Sequence, residues 1–219
     1  MSARIFHEVD EAVDIVKDGD TVLVGGFGMA GMPVELIDAL IRSGASDLTI
    51  VSNNAGNGDT GLAALLAKGR VRKVVCSFPR QVDSWVFDGL YRAGRVELEL
   101  VPQGNLAERL RAAGAGIGGF FTPTGMGTLL SEGREVRTIE GRDYMLEYPL
   151  KGDVALVAAH LSDRMGNLVY RKTARNFGPV MCTAATHVVA QVSRVVDTGA
   201  LDPESIVTPS IYVDRVVQL

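Results

Sequence analysis

Short apolar runs alternate along the first half of the chain with segments whose apolar residues recur at helical spacing. Four runs rich in β-branched residues are typical of buried strands: residues 21–24, 48–51, 73–78 and 96–101. Four segments carry one apolar face each, as amphipathic helices do: residues 9–16, 36–41, 62–66 and 106–110. Strands that alternate with helices in this way predict βαβ units and a mostly parallel sheet.

Residues at the predicted helix ends have the chemistry that helix termini need. Pro33 suits the first turn of the second helix because its missing N–H costs nothing there, and Gly44 can end that helix. Asp59 is placed to cap the third helix. Asn105 and Glu108 have the spacing of a capping box at the start of the fourth.

The pattern changes after Gly114. Residues 116–127 form a long, irregular, glycine-rich stretch, and residues 134–150 alternate as a β-hairpin does. Further strands are predicted at residues 154–159, 188–192 and 211–217. We see no linker and no internal repeat. The sequence therefore predicts one α/β domain over residues 1–219, a mostly parallel sheet flanked by helices, with an additional β-hairpin region after residue 114.

The composition excludes several classes of protein. With 219 residues, 47% of them apolar and 22% charged, the chain can bury a sizeable core, so disorder is excluded as its main state. A net charge of −4 argues against nucleic acid as the main partner. Residues 1–20 lack the apolar core of a signal peptide, and no run reaches the roughly 18 apolar residues of a membrane span. We therefore expect a soluble cytoplasmic protein without a membrane partner.

Cysteine and histidine usage points to no redox or metal chemistry. The two cysteines, Cys76 and Cys182, lie in apolar runs and are interpreted as buried free thiols. The three histidines are scattered, so no metal site is predicted.

Glycine is over-represented, with 25 residues in the chain against an ordinary share of about 7%. Residues 26–31 match the pattern G-x-G-x-x-G between a predicted strand and a helix, which by itself suggests dinucleotide binding. The next strand, however, ends in Ser52, Asn53 and Asn54 rather than in the acid that would hold a ribose, which argues against a NAD(P)-binding oxidoreductase. The glycines either let a tight turn pack on its helix or let an anion approach bare backbone N–H groups.

Residues 18–33, DGDTVLVGGFGMAGMP, resemble the first signature of the family I coenzyme A transferases. Five later blocks look like the A-type chains of that family and follow in order: residues 52–54, 101–104, 114–116, 122–125 and 174–179. The similarity runs from about residue 5 to the C-terminus. It implies the fold of coenzyme A transferases and NagB-like proteins, with CoA thioesters as substrates and no permanently bound cofactor.

The resemblance also implies a ping-pong reaction on a glutamate of a separate B subunit. That glutamate attacks the thioester of succinyl-CoA, becomes a glutamyl-CoA thioester, and then passes CoA to a 3-oxo acid. No catalytic residue is therefore expected in this chain, and Glu132, Glu140 and Glu147 are interpreted as solvated faces of the hairpin. The expected partner is the B subunit, in a hetero-oligomer of two A and two B chains.

The resemblance assigns the contacts with CoA to the glycine-rich segment: Gly25, Gly26, Phe27, Gly28, Met29, Ala30 and Gly31. Asn53, Asn54 and Gln103 follow predicted strands, and ligands bind at the carboxyl edge of a parallel sheet. Neutral amides can hydrogen-bond a carboxylate without locking it into an ion pair. The resemblance places these amides beside the glutamate, and turn capping is the alternative for either asparagine alone.

Three segments look most like the members of the family that use 3-oxoadipate: residues 52–66, 73–81 and 83–94. Relatives that use acetoacetate differ there and lack the sequence Phe-Pro-Arg at residues 78–80. Because 3-oxoadipate carries a second carboxylate, and arginine binds carboxylates through two parallel hydrogen bonds, Arg80 is predicted to recognise that group. A solvated surface position is the alternative for Arg80, and acetoacetate is the alternative acceptor.

Arg171, Lys172 and Arg175 form the densest basic stretch of the chain. The stretch is either a solvated face or a contact with the partner chain or a CoA phosphate, and both interpretations stay open. A non-catalytic ligand-binding or sensor domain on the same architecture is a further alternative, because fold alone does not determine function.

Overall fold

The computed structural model describes residues 3–219 as twelve strands and six α-helices. The strands are β1 (Arg4–Phe6), β2 (Thr21–Val24), β3 (Leu48–Val51), β4 (Val71–Cys76), β5 (Glu97–Leu100), β6 (Phe120–Thr122), β7 (Val136–Ile139), β8 (Arg142–Glu147), β9 (Gly152–Asp163), β10 (Leu168–Val169), β11 (Ala185–Val196) and β12 (Arg215–Gln218). The helices are α1 (Val9–Val13), α2 (Val34–Ser43), α3 (Leu62–Ala67), α4 (Trp85–Arg92), α5 (Gln103–Gly114) and α6 (Gly178–Ala184).

The main sheet has the strand order β1-β12-β11-β9-β2-β3-β4-β5, and every neighbouring pair in it is parallel. The short strand β10 pairs antiparallel with β9 beside this path. The predicted mostly parallel sheet is therefore confirmed. The predicted strand at residues 211–217 was too long, because residues 210–212 form a 3₁₀ turn after Pro209.

Central strands are apolar on both faces because helices cover both sides of the sheet. Along β2, Val22 and Val24 face one hydrophobic core, whereas Leu23 faces the other together with Val51 and Val75. This alternation follows from the two-residue period of a strand. It explains why the strands read as continuous apolar runs.

Helix α2 is tied to the sheet at its start and ends where the sequence predicts. Gly44 follows its last residue in the left-handed conformation, with φ 83°. Pro33 immediately precedes the first helical residue. The Gln191 side chain of β11 accepts a hydrogen bond from the Leu36 N–H at 3.2 Å and donates one to the Glu35 carboxylate at 2.6 Å. This exchange satisfies a free N–H of the helix terminus.

Two predicted caps were wrong. Gly61, not Asp59, occupies the N-cap position of α3, and no side chain caps that helix. Helix α5 begins at Gln103, so Asn105 lies inside its first turn rather than at its cap. The Asn105 amide instead donates to the Thr124 carbonyl oxygen, because tertiary partners compete successfully with the local cap.

Helices α4 and α6 had no counterpart in the sequence prediction. Helix α4 carries a glycine, Gly89, in its interior, which weakens the helical signal. Helix α6 has only seven residues and starts with Gly178 and Pro179. Both helices are stabilised by packing against neighbouring elements, and a local sequence pattern contains no information about that packing.

The hairpin predicted after residue 114 is confirmed as β7 and β8, and it belongs to a three-stranded antiparallel sheet with the order β6-β8-β7. Strand β6 arises from the stretch 116–127 that the sequence predicts as irregular. It pairs along β8, with Phe120 opposite Glu147. Glycines on both sides of this three-residue strand interrupt the alternation of apolar and polar residues that would have predicted it.

Glu147 is not a solvated hairpin residue, and that interpretation was wrong. Its side chain is 2% exposed, and its carboxylate lies 2.9 Å from Arg134 and 3.8 Å from Arg109. The Asn105 amide donates to the same carboxylate at 3.3 Å. Glu132 is exposed, as expected. The buried carboxylate thus attaches the small sheet to helix α5, since a buried charge is stable only when it is paired.

The network continues to the edge of the main sheet through Glu99 of β5. Arg109 donates to Glu99 at 2.8 Å, and Lys73 of β4 donates at 2.5 Å. Burial alone raises the pKa of Glu99, but the hydrogen bonds from Lys73 and Arg109 outweigh it and hold that pKa below its ordinary value. The resulting stabilisation is present above the ordinary carboxyl range and is lost as the pH falls through the lowered pKa.

We predict that Glu147→Ala lowers the free energy of unfolding by about 3–5 kcal/mol, because it removes the carboxylate partner of Arg134 and one of the two carboxylates that face Arg109. Glu132→Ala, which removes an exposed carboxylate from the same region, is expected to change it by less than about 0.5 kcal/mol. Denaturant unfolding of both variants measures the difference. Equal losses in the two variants would contradict the assigned role of Glu147.

Candidate functional site

The parallel register brings the predicted site residues to one edge of the main sheet. The glycine-rich segment follows β2, Asn53 and Asn54 follow β3, and Gln103 follows β5. Strands β2, β3, β4 and β5 are consecutive neighbours in the sheet, about 4.8 Å apart. The carboxyl edge is therefore the candidate site, as the general rule for parallel α/β sheets predicts.

Residues 25–31, the glycine loop, form a tight turn that projects from this edge. Phe27 and Ala30 exchange two backbone hydrogen bonds, at 3.0 and 3.2 Å, which close the turn. Phe27 and Met29 are 48% and 65% exposed. Within residues 3–219, the N–H groups of Gly28, Met29 and Gly31 have no hydrogen-bond partner. The loop can thus donate several backbone hydrogen bonds to a ligand.

Gly31 allows a second segment, residues 171–177, to pack against the glycine loop. It has φ 72°, and a Cβ atom there would lie 2.3 Å from the Ala174 carbonyl oxygen. Close backbone approach and left-handed conformation both require glycine. The three cations of this segment, Arg171, Lys172 and Arg175, are exposed beside the loop. The structure therefore places them near the candidate site without assigning them a partner.

Asn176 belongs to the same segment and was not among the predicted site residues. Its side-chain oxygen accepts a hydrogen bond from the Gly26 N–H at 3.1 Å, and its nitrogen donates to the Ala30 carbonyl at 2.8 Å. The only sequence signal was its position in the block at residues 174–179. Its contacts with the glycine loop span about 150 positions along the chain.

Asn53 and Asn54 are both buried but have different surroundings. The Asn54 side-chain oxygen accepts from the Gly56 N–H at 2.8 Å, so this residue does stabilise a turn. The Asn53 side-chain oxygen has no partner among residues 3–219, and neither do the neighbouring hydroxyls of Ser52 and Ser77. Unpaired buried oxygens are costly, so these positions are candidates for hydrogen bonds from a ligand, a partner chain or water.

Gln103 and Arg80 are exposed at this edge and do not contact the asparagines in the structure. Gln103 is the first residue of α5. Arg80 follows the end of β4, and its guanidinium donates to Asp88 of α4 at 2.7 Å, with 55% of the side chain exposed. An acid that binds Arg80 must therefore share it with Asp88 or displace Asp88.

A narrow cleft separates the glycine loop from the segment after β3. Gly28 and Met29 line one wall, and Asn54 and Asn57 line the other. A larger groove between α1 and α2, lined by Asp10, Asp14, Asp18 and Arg42, opens at the opposite, amino edge of the sheet. We take the narrow cleft as the site because Gly28 and Met29, whose N–H groups are free, line it and because it follows the strand ends.

The cysteines, the possible metal ligands and the helix lengths of the described residues point to no further chemistry. Burial raises the pKa of Cys76 and of Cys182 to about 12, so both remain unreactive thiols at neutral pH. Within residues 3–219, no group of three or more His, Cys, Asp or Glu side chains could hold a metal ion. In the same part of the chain, every helix is too short or too polar to cross a membrane.

Comparison with known proteins finds a matching family and similar sequences. The family model described as coenzyme A transferase matches residues 6–219. The chain is 65% identical, over 99% of its length and 94% of the relative's, to the A subunit of 3-oxoadipate CoA-transferase from Pseudomonas putida. It is 47% identical, over 98% and 89% of the two chains, to the A subunit of a probable succinyl-CoA:3-ketoacid coenzyme A transferase from Bacillus subtilis.

Solved structures share the fold at lower identity. An acyl-CoA transferase of Escherichia coli O157:H7, determined as a thioester complex with CoA, superposes with a TM-score of 0.87 at 23% identity. The match covers 100% of this chain and 47% of that one. At this identity the likeness concerns the fold.

We predict that Gly31→Ala lowers the free energy of unfolding by about 2–5 kcal/mol, because it combines a strained φ with a collision against a backbone carbonyl. Gly28→Ala is the matched control, since Gly28 has φ 59° but nothing within 4 Å of the added Cβ. It should cost only about 1–2 kcal/mol. Denaturant unfolding compares the two, and a Gly31→Ala loss no larger than that of the control would contradict the assigned packing.

Proposed function

The chain belongs to the coenzyme A transferase family, and we propose that it is the single-domain A-type chain of a two-chain enzyme that moves CoA from succinyl-CoA to 3-oxoadipate. The observation that carries the acceptor is the 65% identity, over nearly the whole chain, to a relative named for 3-oxoadipate. The identity to the relative named for 3-ketoacids is lower, at 47%. Transfer to acetoacetate is the second candidate.

In the proposed reaction, a glutamate on the B-type partner attacks the thioester carbonyl of succinyl-CoA. CoA leaves as the thiolate, and a mixed anhydride between succinate and the glutamate is formed. The thiolate then attacks the glutamyl carbonyl, which releases succinate and leaves a glutamyl-CoA thioester. The carboxylate of 3-oxoadipate repeats these steps in reverse and departs as its CoA thioester. CoA thioesters are thus substrates of the enzyme and not resident cofactors.

This chain supplies binding and orientation for that chemistry. The free N–H groups of Gly28, Met29 and Gly31 are suited to hydrogen-bond polar groups of CoA. The amides of Asn53 and Gln103 lie at the edge where the glutamate has to react, and their NH2 groups are the donors suited to its carboxylate, whereas the unpaired Asn53 oxygen can accept only from a donor of the substrate or the partner chain. Neutral amides hold a carboxylate in place without the ion pair that would reduce its nucleophilicity.

The same edge carries the apolar surface that a B-type partner would cover. Phe78, Val82 and Trp85 are 59%, 100% and 60% exposed there, in addition to the exposed Phe27 and Met29. A group of large apolar side chains on one surface is typical of a protein–protein interface. We propose an assembly of two A and two B chains that works in the cytoplasm.

Co-expression tests the proposal directly. We predict that the chain purified together with a B-type partner transfers CoA from succinyl-CoA to 3-oxoadipate, and that the chain alone does not. Thioester absorbance measures the rate, and the ratio of kcat/KM for 3-oxoadipate and acetoacetate identifies the acceptor. Full activity of the chain alone, or specific binding of NADH by it, would contradict the proposal.

Arg80 is proposed to recognise the distal carboxylate of 3-oxoadipate. We predict that Arg80→Ala raises KM for 3-oxoadipate about 10- to 100-fold, because the variant loses the binding free energy of one charge-assisted hydrogen bond. KM for acetoacetate, which lacks that carboxylate, should change less than about twofold. Arg92→Ala is the control, because the end of α4 lies at the opposite edge of the sheet. Equal changes for the two acceptors would reject this role.

A further inference from the structure

Asn176 satisfies the complete hydrogen-bonding capacity of its side-chain amide with backbone groups. Its oxygen accepts from the N–H groups of Gly26 at 3.1 Å and Phe177 at 2.7 Å. Its nitrogen donates to the carbonyl oxygens of Ala30 and Thr173, both at 2.8 Å. Two of these contacts hold the amide to its own segment, and the other two reach the glycine loop.

The two contacts with the loop attach its beginning and its end to the same rigid group. Gly26 opens the turn and Ala30 closes it, so the Asn176 amide fixes the separation and direction of the two arms. The glycine loop, residues 25–31, contains four glycines, which otherwise allow a wide range of backbone conformations. The amide therefore selects the loop conformation in which the N–H groups of Gly28 and Met29 stay free of protein partners.

No other side chain of similar size offers two donors and two acceptor sites in one plane. Aspartate would keep the acceptors but would place a carboxylate oxygen 2.8 Å from the carbonyl oxygens of Ala30 and Thr173, where like dipoles repel. Glutamine is one methylene longer, and alanine has no polar group. The requirement is thus for asparagine itself.

We propose that Asn176 is a positioning residue for CoA, which acts by clamping the glycine loop so that its free N–H groups are preorganised for the CoA thioester. This inference rests on the proposed function, in which the glycine loop binds CoA. Asn176 itself touches no substrate in this proposal. Its loss increases the conformational cost of binding CoA and leaves the reacting groups unchanged.

The test uses the assembled two-chain enzyme and desulfo-CoA, a CoA analogue that binds but cannot react. We predict that Asn176→Ala raises KM for succinyl-CoA and the dissociation constant of desulfo-CoA about tenfold or more. KM for 3-oxoadipate should change less than twofold. Asn176→Asp should weaken CoA binding at least as much, and Asn176→Ser, which keeps one donor and one acceptor, should have an intermediate effect.

Asn167→Ala is the matched control for lost stability. The Asn167 amide also makes two hydrogen bonds, with Asp163 and the Ser210 N–H, both at 2.8 Å, without touching the glycine loop. It should lower the unfolding midpoint and leave desulfo-CoA binding unchanged. If Asn176→Ala does not assemble, Asn176→Ser decides the question.

The outcomes separate the two proposals. Unchanged desulfo-CoA binding in a folded Asn176 variant, beside normal wild-type transfer, overturns the clamp alone. Failure of the wild-type assembly to bind desulfo-CoA or to transfer CoA overturns the proposed function itself. A loss of CoA binding in Asn167→Ala equal to that in Asn176→Ala also overturns the clamp, because general destabilisation would then explain both.

Discussion

The parallel register of the main sheet is the constraint on which the rest of the molecule depends. Because every neighbouring strand in it runs in the same direction, all chain segments that leave β2, β3, β4 and β5 do so at one edge. Residues far apart in sequence, such as Phe27, Asn53 and Gln103, therefore lie at the same edge without any interaction of their own. Burial of both sheet faces makes this register costly to change, since a one-residue shift would turn core side chains toward the opposite face.

The hydrophobic cores do not by themselves hold the parts that project from the sheet. The small antiparallel sheet is attached through the buried Glu147 carboxylate and its two arginines. The glycine loop is attached through the Asn176 amide. Both attachments are directional polar contacts in partly dry surroundings, where an imperfect geometry is penalised strongly. Such contacts specify position more sharply than apolar packing does.

Periodicity and residue chemistry predicted the parallel core, the hairpin and the edge with Asn53 and Asn54, because these features are local or follow from strand direction. The burial of Glu147 could not be predicted in this way. Its partners are set by how the hairpin folds back onto α5, and an alternating hairpin sequence is equally compatible with solvent. Asn105 shows the same limitation, since its spacing fits a capping box but its tertiary partners prevail. The Asn176 amide contacts Gly26, which lies 150 positions away along the chain, so a local sequence pattern cannot predict this contact.

The amides at this edge differ in how many of their hydrogen bonds are made within the chain. Asn176 uses both donors and both acceptor sites on backbone groups, so it has nothing left to offer a ligand. Asn54 spends its oxygen on the Gly56 turn. Asn53, in contrast, is 2% exposed and keeps an oxygen without a partner among residues 3–219. This buried oxygen is an acceptor, so only a donor from a ligand, a second chain or water can complete its hydrogen bonding, and the cost of leaving it unpaired is removed when such a donor arrives.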